Sequence, residues 1–373
     1  MRVVLCGGGT GGHVYPALAV ASMLQKIVED EPVELLYVGV RGRMDRDIVS
    51  RTGIPFRAVT AGPLRSSSLG GTARGSVDLV AGTAQAFSIL REYQPDVVFA
   101  TGGYGSVGVG LATRTLKRPL LLFLPDVEAG LAVKTLAKVA DRIAVTVPPA
   151  LQAMGDEKTV LTGYPVRDVF YGLDRASARK QLGLDADLPT LLVSGASSGA
   201  SALNNSVATW AADFLKQGQL IHLCGPKDEA WLRAGMEMLH ADQRRRYHLH
   251  AYLHDEMPLA FAAADLAIMR SGASVLGELP AARLPAILIP GEYDGGYTQA
   301  DNARYMQDQG AAVMLRQSDI AELHELAMDL LNDKNRLDAM RAALAELDHP
   351  DATERLARLI IEMARSRRKA ATR

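Results

Sequence analysis

Four times along this chain a short run of branched apolar residues ends in a glycine-rich turn and gives way to a helical stretch. The turns fall at 7–12 (GGGTGG), 101–105 (TGGYG), 194–199 (SGASSG) and 270–274 (RSGAS). A strand that leaves through glycine and continues as a helix is half of a βαβ unit, and repeating that unit builds a parallel sheet covered by helices on both faces. The implied fold class is α/β. The turns then gather at the C-terminal edge of the strands, where open α/β sheets bind ligands. Backbone N–H groups at a helix start hold an anion, and glycine lets phosphate oxygens approach closely. A single such turn is also what a tight connection needs with no ligand at all, so the argument rests on the set of four.

The apolar runs separate into two series. RVVLC (2–6), VELLYV (33–38), DVVFA (96–100), PLLLF (119–123) and RIAVT (142–146) form the first, with helices expected at 17–29, 77–92 and 131–140. After TGYPVRDVFY (162–171) and a charged stretch at 173–184, the pattern restarts with TLLVSG (190–195), LIHLCG (220–225), DLAIM (265–269) and PAILIP (285–290). The restart places a domain boundary near 165–185. A chain of 373 residues with 48% hydrophobic composition can fill two cores. Two sheets carrying two such turns each imply a cleft between them.

Charge and cysteine content exclude several functions. Lys and Arg number 41 against 42 for Asp and Glu, so no global positive field marks a nucleic-acid binder. Cys6 and Cys224 lie in strand-like runs and read as reduced thiols. The opening residues are too short for a signal-peptide core, and no window of about 18 apolar residues is present to span a bilayer. His222, His240, His248, His250 and His254 lie near one another in sequence. The alternation in HLHAYLH reads as a strand with one polar face, with no completed ligand set for a metal. No metal and no cofactor are expected.

The first turn satisfies the G-x-G-x-x-G spacing of a dinucleotide fingerprint. That fingerprint also needs an acidic residue at the end of the second strand, about 20 residues on, for the ribose hydroxyls. Here the second strand runs into YVGVRGR, which argues against NAD; Arg41 or Arg43 keeps an NADP reading open. His13 and Pro16 follow the turn at once, which such a fingerprint does not require.

The stretch GGGTGGHVYPALAVA (7–21) resembles the opening signature of the MurG glycosyltransferase family. The resemblance continues in order through GGYGSVG (102–108), AGL (129–131), TGYPVR (162–167), GASSGASALN (195–204), the run at 257–290 and QADNA (299–303). It implies the glycosyltransferase B fold, two Rossmann-like domains with parallel sheets facing across a cleft. Residues 1–165 would form the acceptor and membrane-side domain and 166–373 the UDP-sugar domain, the last helix being free to pack back on the first. The implied reaction is inverting, metal-independent transfer of N-acetylglucosamine from UDP-N-acetylglucosamine to undecaprenyl-diphosphate-linked muramyl-pentapeptide. The implied location is peripheral, on the cytoplasmic face of the cell membrane.

The same resemblance assigns residues. His13 is the implied general base, an imidazole being the side chain that ordinarily titrates near neutral pH. Thr10, Gly11, Gly12, Tyr104 and Asp126 surround substrate. Ser197, in the turn at 195–199, and Arg167 hold the diphosphate. Glu278 binds the ribose, Ala273, Ser274 and Val275 line the nucleotide and sugar, and Gln299 bonds the sugar hydroxyls. Main-chain groups near Leu253 and His254 read uracil.

In three places the chain departs from the family pattern. FLPD (123–126) stands where most relatives read HEQN, Ser198 where glutamine is usual, and Tyr164 where TGNPVR has asparagine. These changes bear on the acceptor more than on the donor. Two further readings are a UDP-sugar 2-epimerase and a transferase with a different lipid acceptor; a third is a nucleotide-sugar-binding protein without catalysis. For the membrane surface, the segment 79–90 with Arg65, Arg74 and Arg91 nearby offers an apolar face with basic anchors, Phe87 and Leu90 leading it. The tail RSRRKAATR (365–373) reads as a frayed, solvated helix end.

Overall fold

Both series of strands become parallel sheets in the computed structural model, which describes residues 1–9, 11–62, 69–155, 157–195, 199–291 and 299–371. The chain divides into two compact units, the first comprising Met1–Arg167 and His349–Arg373, the second lying within 168–348.

In the first unit the elements run β1 (Arg2–Cys6), α1 (Gly11–Ile27), β2 (Glu34–Val40), α2 (Asp45–Ser50), β3 (Phe56–Val59), α3 (Leu69–Tyr93), β4 (Val97–Ala100), α4 (Tyr104–Thr115), β5 (Leu120–Leu124), α5 (Leu131–Ala137), β6 (Arg142–Val145), α6 (Pro148–Met154) and β7 (Thr159–Leu161). The sheet order is β3-β2-β1-β4-β5-β6-β7.

The second unit continues with α7 (Arg175–Leu182), β8 (Thr190–Ser194), α8 (Ser201–Phe214), β9 (Gln219–Leu223), α9 (Glu229–Met236), α10 (Ala241–Arg245), β10 (Tyr247–His250), α11 (Met257–Ala263), β11 (Leu266–Arg270), α12 (Val275–Ala282), β12 (Ala286–Ile289), α13 (Ala300–Asp308), β13 (Ala312–Met314), α14 (Leu323–Asn332) and α15 (Lys334–Leu347). Its order is β10-β9-β8-β11-β12-β13.

Each order reverses once, between β1 and β4 in one sheet and between β8 and β11 in the other. Reversal sends the helices of neighbouring strands to opposite faces and opens a crevice at the strand ends. The four glycine turns are the four loops that leave β1, β4, β8 and β11. They therefore flank the two crevices in pairs.

The strands found by sequence are those buried on both faces, β4, β5, β8, β9 and β12 among them. Strands β3, β7 and β13 went unread because they lie at sheet edges, only partly buried, and carry no continuous apolar run. Edge strand β10 alternates Tyr247 and Leu249 inward with His248 and His250 half-exposed, the single polar face expected of HLHAYLH.

Three expectations need correction. Helix α1 begins at Gly11, not Ala17, and carries Pro16 inside it. Glycine and proline disfavour a helix interior, yet Pro16 lies in only the second turn, where the missing N–H costs one bond. Second, on α3 Leu90 is fully buried and Phe87 half-buried, so among the described residues the exposed large apolar side chains of that helix are Val77 and Val80, 68% and 72% exposed. Third, the basic tail is helical and ion-paired as far as Arg368. It belongs to α16 (Ala352–Ala371), which packs on α1 and β4 through the buried Leu356, Ala357, Ile360 and Ala364.

On that helix Arg365 meets Asp30 at 2.7 Å, and Arg368 meets Glu31 at 2.6 Å and Asp96 at 2.5 Å. Hydrogen bonds from the Met1 amino group and Arg368 hold the Glu31 carboxyl below its usual range. Burial raises that of Asp96, but the Arg368 bond, the Arg2 amide and nearby positive charge outweigh it and leave it lowered. Carboxyls depressed by folding add stability above their unfolded range and lose it as pH falls through the folded values. Arg368→Gln is therefore expected to lower stability at pH 7 by about 1 kcal/mol, solvent screening limiting the effect. Melting temperatures of variant and wild type should converge as the pH drops below about 4. A difference independent of pH would show that the pairing contributes nothing.

Candidate active site

The turn after β1 is shaped by what packs against it. A Cβ on Gly7 would collide with Thr101 Oγ1, and one on Gly8 with the carboxylate of Asp45. Gly9 takes φ +95°, a conformation that favours glycine. Asp45 is fully buried, and its two oxygens accept from Gly9 N and Val40 N, both at 2.9 Å. One amide of the turn is thus already committed to a protein carboxylate and is not offered to a phosphate.

Behind the turn, α1 presents His13 in its first turn, half-buried. Its Nδ1 lies 2.8 Å from the carbonyl oxygen of Thr101. A carbonyl only accepts, so Nδ1 carries the hydrogen and donates it. In the neutral ring Nε2 then holds the lone pair, the form a general base needs. Thr101 also donates through Oγ1 to the His13 carbonyl at 2.7 Å, bracing the residue by both its backbone and its ring.

Thr101 opens the turn after β4, and its amide continues the β1–β4 ladder by donating to Cys6 O at 2.8 Å. Gly102 and Gly103 follow with φ +90° and +76°. A Cβ on Gly103 would stand 2.6 Å from Gly8 O and 3.2 Å from His13 Cδ2. Only glycine lets the two turns close on the imidazole. Tyr104 starts α4 and is 44% exposed. Asp126 lies in the bend after β5, the next strand across, so the sheet brings His13, Tyr104 and Asp126 to one edge. Arg167, in the same unit, places its guanidinium 4.7 Å over the ring of Tyr15 on α1.

The second unit builds its edge in the same way. A Cβ on Gly195 would strike Ala200 N, and Gly199, at φ +75°, has its Cβ direction blocked by Cys224 O. After β11, Ser271 donates to Gln299 O at 2.9 Å, Asn302 donates to Ser271 O at 3.0 Å, and Gln299 Oε1 accepts from Gly291 N at 3.1 Å. Gln299, at the start of α13, is thereby fixed against the 271–274 turn. Ala273 and Val275 are buried there, Ser274 is half-buried, and Glu278 lies one turn into α12 with its amide on Ser274 O at 2.8 Å. His254, in the loop after β10, meets Tyr252 edge to face at 4.7 Å. His222 is a core residue, bonded to Tyr247 OH and Asn204, and burial pushes its pKa down to about 4.

Thr10, Ser197, Ser198 and Arg65 lie outside the described residues. Sequence reasoning missed Asp45 and Thr101. Asp45 sits in the charged run RGRMDRD and looks like a surface acid, while Thr101 looks like one more turn residue.

Residues 3–145 match the glycosyltransferase family 28 N-terminal domain, and residues 190–356 match the family 28 C-terminal domain. The chain belongs to glycosyltransferase family 28. The first family 28 match contains the His13 turn and the second contains Glu278 and Gln299. A relative from Roseiflexus sp. (strain RS-1), named UDP-N-acetylglucosamine--N-acetylmuramyl-(pentapeptide) pyrophosphoryl-undecaprenol N-acetylglucosamine transferase, is 36% identical over 96% of this chain and 94% of its own. One of the same name from Oenococcus oeni is 35% identical over the full length of both. Within family 28 the chain is therefore a member of the MurG group, as its motifs indicate.

Among solved structures, Acinetobacter baumannii MurG superposes with a TM-score of 0.69 at 24% identity, over 97% of this chain and 99% of that one. The UDP-GlcNAc 2-epimerase from Neisseria meningitidis reaches 0.69 at 10% identity, over 97% and 100%. The backbone likeness shows the glycosyltransferase B architecture and does not separate transfer from epimerisation. The sequence relationship does separate them.

Proposed function

We propose that this family 28 enzyme transfers N-acetylglucosamine from UDP-N-acetylglucosamine to the muramyl C4 hydroxyl of undecaprenyl-diphosphate-linked muramyl-pentapeptide, a step of peptidoglycan synthesis. The observation that carries the reading is the 2.8 Å approach of His13 Nδ1 to Thr101 O, which assigns the hydrogen to Nδ1 and leaves Nε2 as the acceptor of the neutral ring. As the acceptor oxygen forms its bond to the anomeric carbon, the bond from that carbon to the phosphate oxygen breaks. UDP leaves with the electron pair, and the hydroxyl proton passes to His13 Nε2. The opposite-face attack inverts the anomeric centre.

On the second unit, Glu278 takes the ribose hydroxyls and Gln299 the sugar hydroxyls. Ala273, Ser274 and Val275 line the nucleotide and sugar, and the backbone near Leu253 and His254 reads uracil. Arg167 and helix-start amides near the 195–199 turn offset the charge developing on the diphosphate. Gly11, Gly12, Tyr104 and Asp126 orient the acceptor. No cofactor or metal is assigned a role. Tight bracing of Gln299 against the 271–274 turn supports the donor half of this reading.

The deciding assay supplies labelled UDP-N-acetylglucosamine with and without the lipid acceptor, in EDTA. Label on the lipid with equimolar UDP is the expected result. Epimerised UDP-sugar formed without acceptor, or transfer that requires added magnesium or manganese, would overturn the proposal as stated.

The polyprenyl chain of this acceptor remains in the bilayer, so the enzyme works as a peripheral protein at the cytoplasmic face. Among the described residues no helix is long and apolar enough to cross a membrane. Val77 and Val80, beside the exposed Arg74 on α3, offer the apolar contact and basic anchor. Flotation with anionic liposomes should fall several-fold on Val77→Asp plus Val80→Asp and weaken with salt. Equal flotation of variant and wild type would remove α3 as the contact.

A further inference from the structure

We infer that Tyr164 is a positioning residue for His13, acting through the backbone of the first turn of α1; this rests on the transfer reading above. In an α-helix the carbonyl of Gly12 would accept from the amide of residue 16. That residue is Pro16, which has no N–H, so the helix itself leaves this carbonyl without its donor. The hydroxyl of Tyr164 donates to Gly12 O at 3.3 Å. Gly12 is the residue immediately before His13, so this bond fixes the peptide from which the imidazole is carried.

The donor is itself held in place. Tyr164 is 4% exposed, and its ring packs edge-on against Phe123 at 6.0 Å; Phe123 is a fully buried residue of β5. Three residues further, Arg167 lies over the ring of Tyr15. Thr353 of α16 donates to Val166 O at 3.0 Å, and Gly163, at φ +84°, has no room for a Cβ against His349 at 2.7 Å. The segment 163–167 is thus anchored on α16 and grips α1 on either side of His13, at Gly12 and at Tyr15. Thr101 restrains the ring from the turn after β4. A carbonyl released from Tyr164 would turn toward water and bend the turn, as breaks in a helical ladder do. A base displaced by a fraction of an ångström loses much of its rate advantage.

The test uses the full chain with three variants: Tyr164→Phe, Pro16→Ala and the pair together. Tyr164→Phe keeps the ring packing and removes only the donor. It is expected to lower kcat about ten-fold with the KM for UDP-N-acetylglucosamine unchanged. Pro16→Ala returns a main-chain N–H to Gly12 O, so the double variant should recover most of the lost kcat. Hydrogen exchange of peptides covering 11–20 should quicken in Tyr164→Phe and slow again in the double variant.

A folded Tyr164→Phe enzyme with wild-type kcat and exchange would overturn the inference. So would a double variant no faster than Tyr164→Phe, because a role in ring packing alone is indifferent to residue 16. Should wild type transfer no sugar, the transfer reading fails, and the exchange measurements still decide whether Tyr164 restrains the turn.

Discussion

His13→Ala is expected to lower kcat by roughly 10² to 10⁴, the range for a positioned general base, while UDP binding stays within about two-fold of wild type. The asymmetry follows from where the residue sits. His13 is on the first unit, between the turns after β1 and β4, and apart from Arg167 the residues proposed for nucleotide and sugar are on the second. Removing the imidazole leaves the bonds of Asp45 to Gly9 and Val40 untouched, so the fold should tolerate the change. The measurement is single-turnover transfer together with UDP titration on a variant of unchanged melting temperature. Full turnover would remove His13 as the base and direct attention to Asp126.

Asp45→Ala is the variant expected to cost the most stability, about 2–4 kcal/mol, although no substrate role is proposed for Asp45. Its carboxylate is buried, and deleting it strands the buried Val40 amide and the part-buried Gly9 amide, a buried group costing about 1–3 kcal/mol when left unpaired. A chain of two units need not unfold in one step, so the first thermal transition is the quantity to follow. Asp45→Asn, with one acceptor oxygen remaining, should fall between the two. Because Gly9 begins the path to His13, kcat should also decline in variants that stay folded. A first transition within about 1 °C of wild type would show that water replaces the carboxylate without penalty.

What could be read from sequence depended on whether the physics is local. A strand buried on both faces must be apolar along its length, and VVLC, DVVFA and PAILIP declared themselves for that reason. Edge strands such as TVL at 159–161 meet no such demand. The glycine turns were legible as the loops that leave strand ends, but the partners that make glycine necessary were not. Thr101 is remote in sequence from Gly7, and Asp45 reaches Gly8 from another helix. Pro16 hid the start of α1 because its cost is met by Tyr164, far along the chain. Phe123 and Tyr164 were each visible as departures from the family pattern. Only the fold shows that the two rings touch, so that the departures form one packed pair.

Helix α16 gives the order of synthesis a consequence for folding. The sheet beneath α1 is laid down by residue 167, yet the helix that covers α1 and β4 follows the whole of the second unit in the chain. At about 5–20 residues per second, a nascent first unit waits roughly 10 to 40 s with that apolar face open to water. Through that interval the growing chain presents a surface suited to chaperones and proteases. A chain stopped anywhere in the second unit would leave uncovered the surface of α1 and β4 on which α16 packs, so closure of the first unit depends on synthesis of the second.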